Sequence, residues 1–194
     1  FTEKQIELFA ERTKHLLQDI KQEPLELMIK KLNGETAWIS FDMALIDLQG
    51  RKMLITIIQD ITERKKVLQQ LKESENKYRT LFESSIDGIA MTNLKGRIID
   101  CNQAFINMLG YRKERLKNLT YFDITPKKWH KMETEIIEKQ VMVRGYSEEY
   151  EKEYIRKDGT IIPISIKTWL VTDKEETPIG LWAIVRDITE KKRA

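Results

Sequence analysis

Few side chains in this sequence could act as nucleophiles, acid–base groups or metal ligands. Among 194 residues there is one cysteine, Cys101, and there are two histidines, His15 and His130. A closed zinc site needs four Cys or His ligands, and a nucleophile–base pair would have to use one of these two histidines. His15 lies in a charged stretch with Lys14 and Asp19, which predicts an exposed ring. The sequence therefore predicts no catalytic site and no metal site.

The glycines and acidic residues give no enzyme motif either. The eight glycines are scattered, and no two have the spacing of a phosphate-binding loop. Acidic residues occur in runs such as 148–153, which is typical of a solvated strand face and not of a tuned acid–base pair. We expect this chain not to be an enzyme, with any catalytic domains of a longer protein lying outside it.

Composition limits the partners and the compartment. The 34 basic and 31 acidic side chains are interspersed, which argues against a nucleic-acid surface despite the net charge of +3. No stretch approaches the ~20 apolar residues of a membrane span, so no membrane contact is expected. A lone cysteine fits a reducing compartment and predicts a cytoplasmic location, even where a parent protein is membrane-anchored. Because the first residue is Phe1, we expect a piece of a longer chain.

A repeat sets the organisation of the chain. Residues 57–66 read IIQDITERKK and residues 183–192 read AIVRDITEKK, with Asp60 and Asp187 at equivalent positions. The repeating unit is about 125 residues long, so the first copy is truncated. We predict the C-terminal half of a first domain over residues 1–61, a connecting helix over 62–84 and a complete second domain over 85–194.

Local patterns predict the elements of both copies. Alternating apolar residues indicate three antiparallel strands in each copy, and Asn33-Gly34 and Asp158-Gly159 are typical of two-residue hairpin turns with positive φ at both positions. Helical spacing predicts a helix over residues 3–20. The predicted strands cover residues 25–31, 36–46 and 53–59 in the first copy and 148–155, 160–171 and 180–186 in the second.

The second copy also contains a front half. Strands are predicted over residues 86–92 and 97–100, and a longer helix over residues 127–143. Asn102 is placed to cap a helix over residues 103–109, Gly110 to end it, and a short helix follows over 113–118. The predicted fold class is α+β, a five-stranded antiparallel sheet with helices on one face, preceded by the back half of a second copy and a connecting helix.

Five short motifs occur in order along the second copy, at Ser85–Ile89, Ile98–Phe105, Leu109–Tyr111, Arg156–Gly159 and Arg186–Glu190. Together they resemble the PAS domain, and the last two resemble its PAC motif. The likeness covers Glu75–Lys192 as a whole domain and residues 1–66 as the latter half of another. It implies a non-catalytic sensory and relay module for a small molecule, a gas or a redox state, within a larger signalling protein of the sensor histidine kinase and phosphorelay type. The alternative is a ligand-free module that dimerises through its sheet or connecting helices.

The duplicated Asp-Ile-Thr ending predicts a stiff junction for signal relay. Asp60 or Thr62, and likewise Asp187 or Thr189, can accept hydrogen bonds from the first amides of a helix; if Asp187 is the cap, Glu190 completes a capping box. The helix after Asp60 would span roughly 35 Å and could carry a strand displacement, or could serve only as a solvated spacer. Its a/d seam, which favours a homodimer, consists of Val67, Leu71, Ser74, Tyr78 and Leu81.

The interior can be assigned by alternation along residues 160–170. One face of this strand is expected to lie opposite large side chains from the helices, forming a ligand pocket or else a plain packed core. The outward residues Ile161 and Trp169 are candidates for a dimer patch. The predicted pocket residues are Phe105, Met108, Leu109, Trp129, Ile137, Ile162, Ile164 and Ile166.

The resemblance also raises cofactor and ion-pair questions. It makes His130 a candidate haem ligand, although its charged surroundings favour a surface histidine with Trp129 facing the core. Cys101 lacks the flavin-adduct motif and is expected to be an ordinary buried thiol; the cofactor is left unknown, with haem and a non-covalent flavin both open. A surface ion pair between Glu114 and Lys157, worth at most ~1 kcal/mol, is also implied.

Overall fold

The computed structural model describes residues 3–16 and 23–193. It divides the chain into two compact units, Phe1–Asn76 and Lys77–Ala194. Residues 17–20 of the predicted first helix lie outside the described residues. The boundary between the units falls inside the connecting helix, ahead of the predicted domain start at residue 85.

The first unit is a three-stranded antiparallel meander with a preceding helix. The small core follows every second residue of the middle strand, with Ala37, Ile39, Phe41 and Met43 buried. The ring of Phe9 lies 4.3 Å from that of Phe41. The elements are α1 (Glu3–Leu16), β1 (Leu25–Lys30), β2 (Thr36–Leu48) and β3 (Arg51–Asp60), in sheet order β1-β2-β3.

The second unit is a five-stranded antiparallel sheet in the order β5-β4-β8-β7-β6, which confirms the predicted fold class. It is preceded by α2, Thr62–Ser84, over the bounds predicted for the connecting helix. Its strands are β4 (Gly88–Asn93), β5 (Ile98–Cys101), β6 (Tyr150–Ile155), β7 (Ile161–Thr172) and β8 (Pro178–Asp187). Its helices are α3 (Gln103–Leu109), α4 (Lys113–Leu116), α5 (His130–Ile136), α6 (Met142–Arg144) and α7 (Thr189–Arg193).

The strand registers show that β1–β3 and β6–β8 are the same structure. Ile39 pairs with Asp60 in the first unit, and Ile164 pairs with Asp187 in the second. Asp60 and Asp187 are the repeat-equivalent aspartates identified in the sequence. The repeat therefore marks one strand topology that occurs twice.

The hairpin turns differ from the predicted two-residue type. Gly34 (φ 87°) and Gly159 (φ 85°) have positive φ, whereas neither Asn33 nor Asp158 does. Each glycine instead ends a three-residue loop, in which a type I turn is followed by one left-handed residue. The side chains of Asn33 and Asp158 then accept from the amide two residues on, at 3.1 and 2.9 Å.

The long helix before β6 is not regular, contrary to the prediction over residues 127–143. It starts as a 3₁₀ turn at Lys127–Trp129, continues as α5, widens into a π-helical turn at Ile137–Val141 and ends in α6. A π turn inserts an extra residue and changes which side chains face the sheet. Helical periodicity alone therefore assigns this face wrongly in part.

Asn102 caps α3 as predicted and also connects three other segments. Its Oδ1 accepts from the amides of Phe105 (3.0 Å) and Ile89 (2.8 Å). Its Nδ2 donates to the carbonyls of Phe82 and Asp87, both at 3.0 Å. The side chain is fully buried, so one amide group ties α3 to β4 and to the last turn of α2. That last turn lies on the other face of the sheet, where Phe82 packs edge-on against Trp182.

Candidate functional site

A small enclosed cavity lies between α5 and the inner face of the sheet. Its volume is about 30 Å³, enough for roughly two or three water-sized groups and far below the ~300–1,000 Å³ of a typical small-molecule pocket. Most of its wall is apolar. The lining residues are Ala90, Thr92, Ile98, Phe105, Tyr121, Ile124, Glu133, Ile137, Tyr154, Ile166, Thr168, Leu181 and Ala183.

The predicted pocket residues divide into two groups. Phe105, Ile137 and Ile166 line the cavity. The other predicted pocket residues, apart from Trp129, belong to the packed core around the cavity but do not line the cavity. The assignment of the β7 inner face is confirmed, because Ile162, Ile164 and Ile166 are all buried; Ser165 on the opposite face is buried as well. The core residues that do not line the cavity are Met108, Leu109, Ile162 and Ile164.

The placement of Trp129 in the core is wrong. Its indole Nε1 donates to Glu153 Oε2 at 3.1 Å, and Glu153 points outward from β6, which leaves Trp129 half-exposed. The Lys128 ammonium lies 5.3 Å from the Trp129 ring. The 3₁₀ turn that contains Trp129 places it outside the apolar stripe of the following helix.

His130 is hydrogen-bonded to Thr125, in the segment just before its helix, and does not line the cavity. Its Nε2 lies 2.8 Å from the Thr125 carbonyl oxygen, and a carbonyl only accepts, so this nitrogen carries the proton and donates. The imidazole ring packs 4.9 Å from the ring of Phe122. A haem ligand needs a free ring nitrogen facing a large cavity, and the residues here do not fit that group.

A buried ion pair that sequence reasoning missed stands at one end of the cavity. Lys152 points inward from β6, and its ammonium forms a salt bridge with Glu133 Oε1 from α5. The Lys152 Nζ also donates to Thr125 Oγ1 at 3.2 Å and lies 4.7 Å from the Tyr154 ring. Burial lowers the pKa of Lys152 below its usual range, and the carboxylate of Glu133 opposes that shift. The pair is therefore enclosed in apolar and aromatic surroundings.

Two signals in the sequence point to this pair. Tyr150 and Tyr154 flank Lys152 two residues away on each side, so a strand that buries both tyrosines also buries the lysine. Glu133 precedes Ile137 by one helical turn, so it shares the face of a residue assigned to the interior.

The pair leaves polar atoms of the cavity without a partner. Glu133 is only 3% exposed and Thr92 only 9%. Within the described residues, Glu133 Oε2 and Thr92 Oγ1 have no hydrogen-bond partner of good geometry. The Tyr150 hydroxyl lies near the Glu133 carboxylate, and burial together with that charge raises the pKa of Tyr150. Burial, aided by the charge on Glu133, raises the pKa of Tyr121 to about 12, so this cavity-lining phenol stays protonated at neutral pH. The cavity is thus apolar apart from a small set of polar groups.

The second candidate site is the junction at the end of β8. Asp187 Oδ1 accepts from the Thr189 amide at 2.8 Å, and the Thr189 hydroxyl donates to the same oxygen. Asp187 Oδ2 pairs with Arg156 Nη2 at 3.1 Å. The first helical hydrogen bond runs from the Lys192 amide to the Ile188 carbonyl. Asp187 therefore lies just before the cap position, and its bond to the amide two residues on takes the place of the predicted capping box with Glu190.

The first unit contains the same junction. Asp60 Oδ1 accepts from the Thr62 amide at 2.9 Å, and Asp60 Oδ2 lies 3.4 Å from Lys31 Nζ. The hydrogen bonds from Thr62, with a smaller contribution from Lys31, lower the pKa of Asp60. The copies differ in the bonds of the threonine hydroxyl. The Trp38 amide donates to Thr62 Oγ1 at 2.9 Å, whereas its equivalent, Pro163, has no amide hydrogen. The Thr62 hydroxyl in turn lies 3.5 Å from the Trp38 carbonyl oxygen, whereas the Thr189 hydroxyl donates to Asp187.

A second ion pair repeats across each junction. Lys65 of α2 pairs with Glu26 of β1, and Lys192 of α7 pairs with Glu151 of β6 at 2.7 Å. Each helix is therefore attached to its own sheet both at its start and one turn later.

Comparison with known proteins agrees with this geometry. A family profile described as "PAS domain" matches residues 3–63 and 86–190, which together make up most of the chain. The chain belongs to the PAS domain family.

The relatives are signalling proteins. The chain is 28% identical over 162 residues to the probable diguanylate cyclase DgcE of Escherichia coli, covering 84% of this chain and 14% of that protein. It is 28% identical over 124 residues to the sensor histidine kinase TmoS of Ectopseudomonas mendocina, covering 64% of this chain and 13% of that protein. The chain therefore spans only a small fraction of the length of each of these two relatives.

A solved PAS structure shares the fold. The PAS domain of a protein from Colwellia psychrerythraea superposes with a TM-score of 0.56 at 25% identity, covering 60% of this chain and 97% of that one. This coverage matches one complete PAS domain within a longer chain.

The structure also bears on the ion pair and the cysteine that the PAS resemblance drew attention to. No ion pair joins Glu114 to Lys157; both side chains are exposed, and it is Lys113 of the single-turn α4 that pairs with Asp100, at 2.9 Å. The expectation for Cys101 is confirmed: the thiol is fully buried, and burial raises its pKa to about 11.

The described part of the chain has neither a cluster of metal ligands nor a membrane-spanning helix. Among residues 3–16 and 23–193, no group of His, Cys, Asp and Glu could hold a metal ion. Over the same ranges, no helix is both long and apolar enough to span a membrane.

Proposed function

We propose that this chain is the non-catalytic sensory and relay portion of a larger signal-transduction protein of the sensor histidine kinase type. In this proposal the second PAS domain senses a small molecule, gas or redox change in its cavity, and the junction residues pass the change to the helices. Relatives that include a sensor histidine kinase and a probable diguanylate cyclase support a signalling parent. A lone buried free thiol is in keeping with a reducing, cytoplasmic location.

The observation that carries the proposal is the duplicated junction. In both copies the aspartate that ends the last strand accepts from the second residue after it and pairs with a base from the preceding hairpin. β8 runs from the cavity wall, at Leu181 and Ala183, to Asp187. A displacement of β8 by an occupant of the cavity would therefore move the start of α7 directly. A helix held by several bonds transmits such a shift, whereas a flexible linker would absorb it.

The relay is tested in the full-length parent protein. Asp187→Ala removes both the acceptor for Thr189 and the partner of Arg156, and we expect it to change the output activity severalfold or to abolish its response to stimulus. The output is autophosphorylation for a kinase or cyclic dinucleotide synthesis for a cyclase. Lys174→Ala, in the exposed β7–β8 loop, is the control and is expected to leave output unchanged. An Asp187→Ala protein with unaltered output and response would contradict the relay.

A second function is dimerisation through the connecting helix. Val67, Leu71 and Leu81 lie on one seam of α2 and are all more than half exposed. Tyr78 on the same seam packs against Phe82 and Trp182 of its own unit. Tyr78 is therefore engaged within the second unit, whereas Val67, Leu71 and Leu81 remain exposed. A parallel homodimer would bury these three exposed residues and bring two output segments together.

A further inference from the structure

The charge inside the cavity is balanced, which limits what the cavity can accept. Glu133 and Lys152 form a one-to-one pair, and both side chains are almost completely buried. Of the pair, Glu133 lines the cavity, and the Lys152 ammonium behind it already neutralises the carboxylate. An added ion of either sign would therefore leave a net charge in this buried cluster. An unpaired charge in such surroundings carries a large desolvation cost. The cavity therefore favours an uncharged occupant.

The two unpartnered atoms define the hydrogen bonds that such an occupant would make. Glu133 Oε2 is a carboxylate oxygen and can only accept, so its complement is an N–H or O–H donor. Thr92 Oγ1 both donates and accepts, so it can bond to either end of a polar group. Both residues line the same cavity, one from α5 and one from β4. A buried polar atom without a partner costs free energy, and a ligand that satisfies it gains that amount.

The size and wall of the cavity limit the rest of the molecule. A volume of about 30 Å³ accommodates two or three non-hydrogen atoms, since one water needs roughly 10–15 Å³. The wall also contains the hydroxyl groups of Tyr121, Tyr154 and Thr168, but within the described residues the buried lining atoms that lack a hydrogen-bond partner are Glu133 Oε2 and Thr92 Oγ1. The occupant is therefore small, with its polar group directed at Glu133 and Thr92.

We propose that this cavity binds a small uncharged molecule bearing an N–H or O–H group, which donates to Glu133 Oε2 and exchanges a hydrogen bond with Thr92 Oγ1. This inference rests on the proposed sensory function and specifies the chemistry of the signal. It excludes carboxylates, amines and purely apolar molecules as ligands of this site.

The test is a set of matched probes on the whole chain. Formamide, formate and formamidinium share one planar skeleton and differ in charge, and dimethyl ether is neutral and of similar size but has no donor. Binding is followed by methyl NMR at Ala90, Ile98, Ile137 and Ile166, which line the cavity. We expect formamide to give saturable shifts, and the other three probes to bind about tenfold more weakly or not at all, since each loses a buried hydrogen bond or adds a buried charge.

Two variants locate the binding. Thr92→Val keeps the shape of the side chain and removes its hydroxyl, so we expect formamide affinity to fall about fivefold to tenfold. Ser165→Ala is the matched control: it removes a hydroxyl from β7, but one that bonds outward to Glu149, and formamide affinity is expected to stay unchanged. If Thr92→Val does not fold, the comparison of the four probes on the unaltered chain decides the question.

Several results would overturn the site. These are formamide giving no saturable shifts, dimethyl ether or either ion binding as tightly as formamide, and Thr92→Val binding formamide as well as the unaltered chain does. Binding is read without any output domain, so it is separate from the relay test. A chain that binds formamide while Asp187→Ala leaves the parent's response intact has the site but not the relay.

Discussion

At the scale of single residues, the interior of the second PAS domain is organised by one ion pair. A lysine at an inward strand position is costly to bury, and Lys152 is tolerated there because Glu133 and Thr125 satisfy its ammonium group. Removing one member of such a pair leaves the other charge buried without its partner, and this destabilises the fold more than replacing both members with apolar residues does.

This asymmetry gives a double-mutant prediction. Lys152→Met is expected to lower the free energy of unfolding by about 3–5 kcal/mol, whereas Lys152→Met combined with Glu133→Leu should recover most of that loss. Urea unfolding followed by circular dichroism measures both. Lys192→Met, which breaks the surface pair with Glu151, serves as the control and should change stability little. A loss below about 1 kcal/mol for Lys152→Met alone would show that the pair is not a buried unit.

Close backbone approach gives a second prediction at this scale. A Cβ added at Gly180 would lie 2.2 Å from the Thr92 carbonyl oxygen of the neighbouring strand. Gly180→Ala must push β8 away from β4 beside the cavity, so we expect a loss of at least ~2 kcal/mol in thermal or urea unfolding. Gly34→Ala is the comparison, because it has open space but positive φ and should cost only about 1 kcal/mol. Equal effects of the two substitutions would argue against the steric account.

At the scale of elements, the junctions follow from the sequence repeat. Asp187→Asn keeps a side-chain oxygen for the Thr189 amide but loses the charge that pairs with Arg156, whereas Asp187→Ala loses both. We expect Asp187→Ala to cost about 1 kcal/mol and to speed hydrogen exchange of the Thr189 and Lys192 amides, with Asp187→Asn intermediate. Exchange rates that are the same in all three proteins would mean that the carboxylate does not hold α7.

The proposed dimer makes a prediction for α2. We expect the chain to sediment as a homodimer and the Leu71→Lys variant to sediment as a monomer. The side chain at position 71 is 63% exposed in the single chain, where a lysine is readily hydrated. In the dimer the same lysine would be buried in the seam between the helices. Gln70→Lys adds the same charge beside the seam and should leave the dimer intact. A chain that sediments as a monomer before any substitution would contradict dimerisation through this helix.

Sequence periodicity predicted the strands and regular helices better than it predicted the hairpin loops and the 3₁₀ and π turns. Apolar residues alternate along β7, so its inner residues Ile162, Ile164 and Ile166 were assigned correctly, and the repeat identified both junctions. The three-residue hairpins were missed because Asn-Gly and Asp-Gly pairs suit both loop types. Trp129 was misplaced because a 3₁₀ start and a π turn change the helical phase. Lys152 and Glu133 were missed because a charged residue was taken as a sign of the solvated face.

At the scale of the whole molecule, the two units differ in how much core they have. The first unit buries one row of β2 side chains together with Ile61, and every residue of β3 is exposed. The second has a continuous core of fully buried side chains that includes Phe105, Leu109 and Ile164. A short chain with a small core is marginal by itself, and an exposed apolar strand edge favours association. Stability of the chain should therefore come mainly from the second unit.

The place where that second unit begins can be tested with two fragments. Phe82 is only 4% exposed and packs against Trp182, and its carbonyl accepts from the buried Asn102. A fragment of residues 77–194 keeps these contacts and should melt cooperatively, close to the main transition of the full chain. A fragment of residues 85–194 lacks Phe82, and we expect it to lose about 3 kcal/mol, as for truncation of a buried phenylalanine. Calorimetry on both fragments decides: equal melting temperatures would mean that the PAS domain begins at residue 85, and that the last turn of α2 contributes nothing to its fold.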